Sequence, residues 1–138
     1  MYKKVVVAID DSEVSQSALQ EAVQIAASYS ARLVIIHALQ TTRDTSDITR
    51  FAAIQLLEQA KAAAGEAKTV ETRLVEADAD HGLNGVAETI ADAVSQSEAD
   101  LLVVGSQGRR GLERLVIGSV AEKLISTVGI SIFIVRLH

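Results

Sequence analysis

The sequence contains no cysteine and no proline among its 138 residues, and only 3% of those residues are aromatic. Without cysteine, disulfide bonds, thiolate zinc sites and cysteine nucleophiles are excluded. The scarcity of aromatic side chains disfavours an RNA-binding platform, because such platforms stack bases on aromatic rings. Without proline, the ends of the helices and strands must depend on glycine and on capping side chains.

Long hydrophobic runs and an excess of positive charge are also missing. No apolar stretch approaches the ~18 residues that a membrane-spanning helix needs. The first apolar run follows Lys3 and Lys4 directly and is too short for the core of a signal peptide. The net charge of −5 disfavours nonspecific binding to nucleic acid, which usually requires a basic surface. We therefore expect a cytoplasmic protein with no membrane span and no nucleic-acid partner.

Apolar patterning predicts alternating strands and helices. Hydrophobic residues make up 49% of the chain and supply a core of valine, isoleucine, leucine and alanine. Apolar runs predict strands at residues 5–9, 33–36, 69–75, 101–104 and 130–135, and helical spacing predicts an amphipathic helix after each of the first four. This order implies a mainly parallel sheet with helices on both faces. The length predicts a single domain, residues 1–138.

Two polar segments predict loops. Residues 40–47 show no apolar pattern, and Asp47 or Thr49 can cap the helix that follows. Residues 78–85 are predicted as a second loop, with Asn84 as the cap of the third helix. In a parallel sheet, ligands bind at the carboxyl ends of the strands, so we expect Asp10 and Gly105 to share one crevice if their strands are neighbours.

A glycine-rich segment, GSQGRRG at residues 105–111, follows the fourth predicted strand. The P-loop pattern is absent, and so is the G-x-G-x-x-G pattern of dinucleotide-binding domains. The chain has instead a G-x2-G-x9-G-S spacing, formed by Gly105, Gly108, Gly118 and Ser119. Glycine permits close approach of a ligand, and the start of a helix offers N–H groups and a positive dipole end to phosphate. This segment therefore predicts an anion site.

Each of these features also has a simpler interpretation. Ser119 and Glu122 can form a capping box that serves the helix alone. Asp10 can either cap the first helix or contact a ribose or a metal ion. Arg109 can either contact phosphate or belong to a solvated basic surface.

Three segments together resemble the universal stress protein family. They are VAIDDSE at residues 7–13, VVGSQGRRGL at residues 103–112 and LVIGSVAEK at residues 115–123. The resemblance covers nearly the whole chain and is weakest between residues 40 and 84. The spaced glycines are similar to those of the family's ATP-binding branch. The chain departs from the family at Gln107, where histidine is common, at Ala77, near a usual glycine, and at residues 127–131, which lack proline.

The resemblance implies a Rossmann-like α/β fold, with a five-stranded parallel sheet in the order 3-2-1-4-5 and helices on both faces. It implies a homodimer formed through the last strand, from Ile130 through Arg136. It also implies binding of ATP, with ADP or AMP as alternatives. The residues themselves offer Asp10 as the candidate ligand for Mg²⁺ bound with ATP. The residues that the resemblance assigns to the nucleotide are Ala8, Ile9, Asp10, Ala38 and Val104 at the adenosine end, Gly105 and Gly108 near the ribose and phosphates, and Gly118, Ser119 and Val120 at the phosphates.

These features predict a nucleotide-dependent binding or regulatory module of the stress response that acts on an unknown protein partner. The sequence offers no P-loop lysine and no evident water-activating base, so we predict no catalytic residue and at most weak ATPase activity. Two alternatives remain open. One is a slow Mg²⁺-dependent ATP hydrolase or phosphotransferase that uses Asp10, and the other is a nucleotide-free, chaperone-like partner domain.

Overall fold

The computed structural model describes residues 1–106 and 118–136, which form five strands and four helices in alternation. The elements are β1 (Lys4–Ile9), α1 (Glu13–Tyr29), β2 (Arg32–Thr41), α2 (Asp47–Ala63), β3 (Thr69–Asp78), α3 (Gly82–Ser97), β4 (Leu101–Gly105), α4 (Ser119–Thr127) and β5 (Ser131–Val135), with a single 3₁₀ turn (Ala79–His81) before α3. In these ranges, no helix combines the length and the apolar character needed to cross a membrane.

The five strands form one parallel sheet in the order β3-β2-β1-β4-β5. This order confirms the predicted fold. The most continuously apolar strands, β1 and β4, lie side by side in the middle, where both faces of the sheet are covered. The chain first winds from β1 towards β3 and then returns to β4, so the strand order reverses between β1 and β4. Open α/β sheets bind ligands at such a reversal.

Alternating side chains along each strand divide the core into two layers. Val5, Val7 and Ile35 pack with α1 and α2 on one side, which we call the α1/α2 face. Val6 and Ile36 pack with α3 and α4 on the other side, the α3/α4 face. Because neighbouring residues of a strand point to opposite faces, the face of any residue at the strand ends follows from this alternation.

The predicted loop at residues 40–47 is partly wrong, because β2 continues through Gln40 to Thr41. These two residues pair with Ala77 and Asp78 of β3. Pairing satisfies backbone N–H and C=O groups whatever the side chains are, so a polar sequence can extend a strand that has a long partner. Residues 42–46 alone remain between β2 and α2.

The predicted helix caps are wrong at both α2 and α3. The cap of α2 is Ser46, whose side chain accepts a hydrogen bond from the Thr49 backbone N–H at 3.1 Å. Helix α3 begins at Gly82, and Asn84 lies inside its first turn. Gly82 has φ 62° and ψ −153°, a conformation that essentially only glycine adopts, and this lets the chain turn from the 3₁₀ segment into the helix.

Candidate functional site

The carboxyl ends of β1, β2 and β4 meet at one edge of the sheet. Ile9, the last residue of β1, is in register with His37, so Ala38 lies just beyond it on β2. Val7 is in register with Val103, so Val104 and Gly105 lie beside the end of β1 on β4. The structure therefore places these predicted nucleotide residues at one edge, next to the reversal in strand order.

Ala8, Ala38 and Val104 lie on the α3/α4 face. Val104 is buried, and the two alanines are half-buried against the same core. Val120, in the first turn of α4, packs on this core as well. These side chains belong to one apolar layer, which includes Val120 in the first turn of α4. Ile9 is different, because its side chain is buried on the α1/α2 face and only its backbone is available on this side.

Asp10 is half-buried and is fixed by the loop that follows β1. Its Oδ1 accepts a hydrogen bond from the Ser12 backbone N–H at 2.8 Å, and its own N–H donates to Ser15 Oγ at 2.8 Å. The N-cap of α1 is Ser12, which accepts from the Ser15 N–H at 3.2 Å. The capping interpretation of Asp10 is therefore wrong. The hydrogen bonds among the described residues engage Oδ1, which leaves Oδ2 for another partner.

The start of α4 has no side-chain cap within the described part of the chain. The helix begins at Ser119, so the capping-box interpretation is wrong: Ser119 stands inside the helix and Gly118 is the N-cap. Glycine has no side chain that could accept a hydrogen bond from the first-turn N–H groups. The Gly118 N–H itself donates to the Ser106 carbonyl, and the Ser106 N–H donates to the Val135 carbonyl at 2.8 Å. The helix start is thus tied to the ends of β4 and β5.

Gly105 is explained by packing at least as well as by a ligand. A Cβ atom at this position would lie 3.0 Å from Val14 Cγ1 and 3.2 Å from Val14 Cγ2. The end of β4 therefore packs on α1 more closely than a side chain would allow. Gly108 and Arg109 fall in residues 107–117, outside the described residues.

Replacing Gly105 with alanine is expected to lower the free energy of unfolding by about 1 kcal/mol, because the added methyl group overpacks the contact with Val14. Chemical unfolding of a double-mutant cycle tests this: Gly105→Ala should cost less in the Val14→Ala background, where there is room for the methyl group. An equal cost in both backgrounds would show that the packing contact is not the reason for glycine here.

A multi-residue metal centre is not formed in the described ranges. No group of three or more histidine, cysteine, aspartate or glutamate side chains is gathered there in a way that could hold a metal ion. At the end of β1, Asp10 offers one carboxylate oxygen, Oδ2, that the hydrogen bonds among the described residues do not engage. An Mg²⁺ ion at this point would therefore need phosphate oxygens and water for most of its ligands, which is its usual preference.

The comparison with known families agrees with the observed fold and extends over nearly the whole chain. The sequence profile described as the universal stress protein family matches residues 1–136. The chain belongs to the universal stress protein family. It is 30% identical to the universal stress protein YxiE of Bacillus subtilis over 154 residues, covering 99% of this chain and 100% of that one. It is 28% identical to a universal stress protein of Methanocaldococcus jannaschii over 149 residues, covering 99% of this chain and 83% of that one.

Solved universal stress protein structures are similar throughout the chain. One, determined in complex with cAMP, is 26% identical, with a TM-score of 0.75 and coverage of 97% of both chains. Another, from Archaeoglobus fulgidus in complex with dAMP, has a TM-score of 0.76 and covers 97% of this chain and 98% of that one. At 21% identity, the second structure supports the fold alone.

Sequence reasoning missed three serines that shape this edge. Ser12 and Ser15 are both buried and hold the loop around Asp10, and buried Ser106 anchors the start of α4. The signal for Ser12 was present, since a serine just before a run of helical residues is a typical N-cap. Nothing in the sequence marked the backbone bonds of Ser106, because they join elements distant in the chain.

Proposed function

We propose that this protein is an ATP-binding universal stress protein, formed by one domain, in which the bound nucleotide controls a surface recognised by a partner in the stress response. The uncapped start of α4 is the observation that carries the proposal. Its N–H groups have no side-chain acceptor among the described residues, and the N-cap Gly118 is bonded to Ser106, directly after the end of β4. A helix start of this kind favours phosphate.

The described residues suit the parts of an adenine nucleotide. Backbone N–H groups of Ser119 and Val120 would hold the phosphates, and Gly118, whose own N–H is bonded to the Ser106 carbonyl, would allow their close approach. Ala8, Ala38 and Val104 would contact the adenosine, and Asp10 Oδ2 would accept from a ribose hydroxyl or bind Mg²⁺. Gly105, Gly108 and Arg109 complete the proposed site. The structure of a relative in complex with cAMP supports an adenine nucleotide as the class of ligand.

We also propose a homodimer formed through β5. The two edges of the sheet are β3 and β5. The β3 edge carries exposed Glu71, Glu76 and Asp78, and such charges discourage pairing with another strand. By contrast, β5 contains no charged residue, and Phe133 is 41% exposed on it. An uncharged apolar edge is stabilised when a second copy covers it across a two-fold axis.

ATP is expected to stabilise the folded protein measurably. At 100 times the dissociation constant, a ligand that binds only the folded state adds about 2.7 kcal/mol. Thermal unfolding with and without ATP measures this, and nucleotide analysis of the denatured purified protein reveals any bound species. Protein that is always empty and gains no stability from ATP, ADP or AMP contradicts the proposal. Steady phosphate release over many turnovers, abolished by Asp10→Ala, would instead favour the hydrolase.

A further inference from the structure

The peptide bond between Ile9 and Asp10, at which the chain leaves β1, is held by side chains from two other elements. On one side, His37 Nδ1 of β2 lies 2.8 Å from the Ile9 carbonyl oxygen. On the other side, the Asp10 N–H donates to Ser15 Oγ of α1 at 2.8 Å. The carbonyl and the N–H belong to one planar unit, so the two contacts together fix the orientation of that plane. We call His37 and Ser15 the peptide clamp.

The chemistry of the clamp settles which group donates in each contact. A carbonyl oxygen can only accept a hydrogen bond, so His37 Nδ1 carries the proton. A backbone N–H can only donate, so Ser15 Oγ accepts. Ser15 is buried and His37 is half-buried. Loss of either contact would therefore leave a poorly hydrated peptide group without its partner.

A third contact fixes the carboxylate of Asp10 itself. Its Oδ1 accepts from the Ser12 N–H at 2.8 Å. With the peptide plane and Oδ1 both fixed, the position of Oδ2 is set as well, and no hydrogen bond among the described residues engages it. The entropy of ordering this side chain is lost during folding and not on binding, which favours a ligand that donates to Oδ2.

One remaining carboxylate oxygen matches a hydroxyl group better than a metal ion. A hydroxyl needs a single acceptor, whereas Mg²⁺ requires a near-octahedral set of oxygen ligands. The described ranges gather no group of three or more side chains that could hold a metal ion.

We propose that His37 and Ser15 are positioning residues, which hold Asp10 so that Oδ2 accepts a hydrogen bond from a ribose hydroxyl of the bound nucleotide. The inference rests on the proposed function and specifies how the site recognises the sugar. The clamp itself does not touch the nucleotide. It acts through the peptide plane that precedes Asp10.

The test compares ATP with 2′-deoxyATP and 3′-deoxyATP. Calorimetric titration of the nucleotide-free wild type should show at least one deoxy analogue binding about tenfold more weakly than ATP, because a hydrogen bond to a carboxylate is lost. This preference for ATP should be the same with Mg²⁺ and with EDTA, since the contact involves no metal ion. Asp10→Ala should abolish it.

Variants of the clamp separate positioning from stability, because the preference is a ratio measured on folded protein. His37→Leu and Ser15→Ala should each reduce the preference to less than about threefold. His37→Asn should keep most of it, because the amide can donate to the Ile9 carbonyl in place of Nδ1. Ser97→Ala is the matched control. Ser97 is also buried and hydrogen-bonded, but its carbonyl accepts from Lys4 Nζ at the start of β1, so its loss should lower the free energy of unfolding and leave the preference unchanged.

Three results overturn the proposal: equal binding of ATP and both deoxy analogues by the wild type, a preference that requires Mg²⁺, or a preference that His37→Leu and Ser15→Ala retain in full. If one of these two variants does not fold, the other decides, and the wild-type comparison needs neither. Each of the three results includes binding of ATP. They are therefore distinguishable from failure of the proposed function, in which the wild type binds none of the three nucleotides and this inference fails with it.

Discussion

Replacement of Gly118 by aspartate is expected to stabilise the nucleotide-free protein and to abolish stabilisation by ATP. Gly118 has φ −66° and ψ 159° as the N-cap of α4, an extended conformation open to any residue. An aspartate there can accept from the first-turn N–H groups and complements the helix dipole, together worth about 0.5–1 kcal/mol. The same carboxylate occupies and repels the position proposed for phosphate, so the ~2.7 kcal/mol gained at 100 times the dissociation constant should disappear.

The aspartate variant should gain stability without nucleotide and lose the stabilisation by ATP, so general damage to the fold cannot explain both results. Gly118→Asn is the matched control, because asparagine caps a helix about as well and has nearly the same size but no charge. Thermal unfolding should rank the two nucleotide-free variants above the wild type, with ATP stabilisation weakened in the asparagine variant and absent in the aspartate variant. If ATP stabilises the aspartate variant as much as the wild type, the phosphates do not lie at the start of α4.

Replacement of Gly82 by alanine is expected to lower the free energy of unfolding by about 2–3 kcal/mol. The reason is backbone conformation alone. Gly82 has a positive φ of 62°, and an added Cβ would meet no heavy atom within 4 Å. The cost therefore arises from holding alanine in a region of φ and ψ that residues with a side chain avoid. Chemical unfolding of the nucleotide-free protein measures this directly.

Gly65→Ala is the control for this prediction. An added Cβ at Gly65 also meets nothing within 4 Å, but there φ is not positive. Alanine in a compatible conformation restricts the unfolded chain, so this variant should be neutral or more stable by up to ~1 kcal/mol. A similar loss for both variants would mean that the strain at Gly82 has been overestimated.

Much of the fold could be predicted because its strongest signals are local. Val5, Val6 and Val7 are all fully buried, and a continuous β-branched run is what a central parallel strand requires. Helices with regular apolar spacing were predicted in the same way. The ends of the elements were not, because distant residues decide them. Gln40 and Thr41 join β2 only because β3 offers them partners, and nothing in their own sequence requires a strand.

The candidate site, too, could be predicted where its signals are local and could not where distant residues decide. Alternation of strands and helices suffices to predict that Asp10, Ala38 and Gly105 lie at the carboxyl ends of parallel strands. The strand order that makes these strands neighbours was implied only by the family resemblance. The cap of α4 depends on a one-residue choice between Gly118 and Ser119. That choice is coupled to backbone bonds among Ser106, Val135 and Gly118, which join β4, β5 and α4. No short sequence motif predicts these backbone bonds. They nevertheless influence whether the start of α4 is available to an anion.

Strands β2 and β3 extend further at their carboxyl ends than β1 does, so the carboxyl end of the sheet is not level. β1 ends at Ile9, in register with His37, whereas β2 and β3 continue together to Thr41 and Asp78. Four further residues at about 3.3 Å each raise this two-stranded ribbon about 13 Å above the end of β1. A molecule resting on β1 is therefore screened along one whole side by protein backbone. Among the described residues, this ribbon limits how far a molecule bound at the end of β1 can extend towards β2.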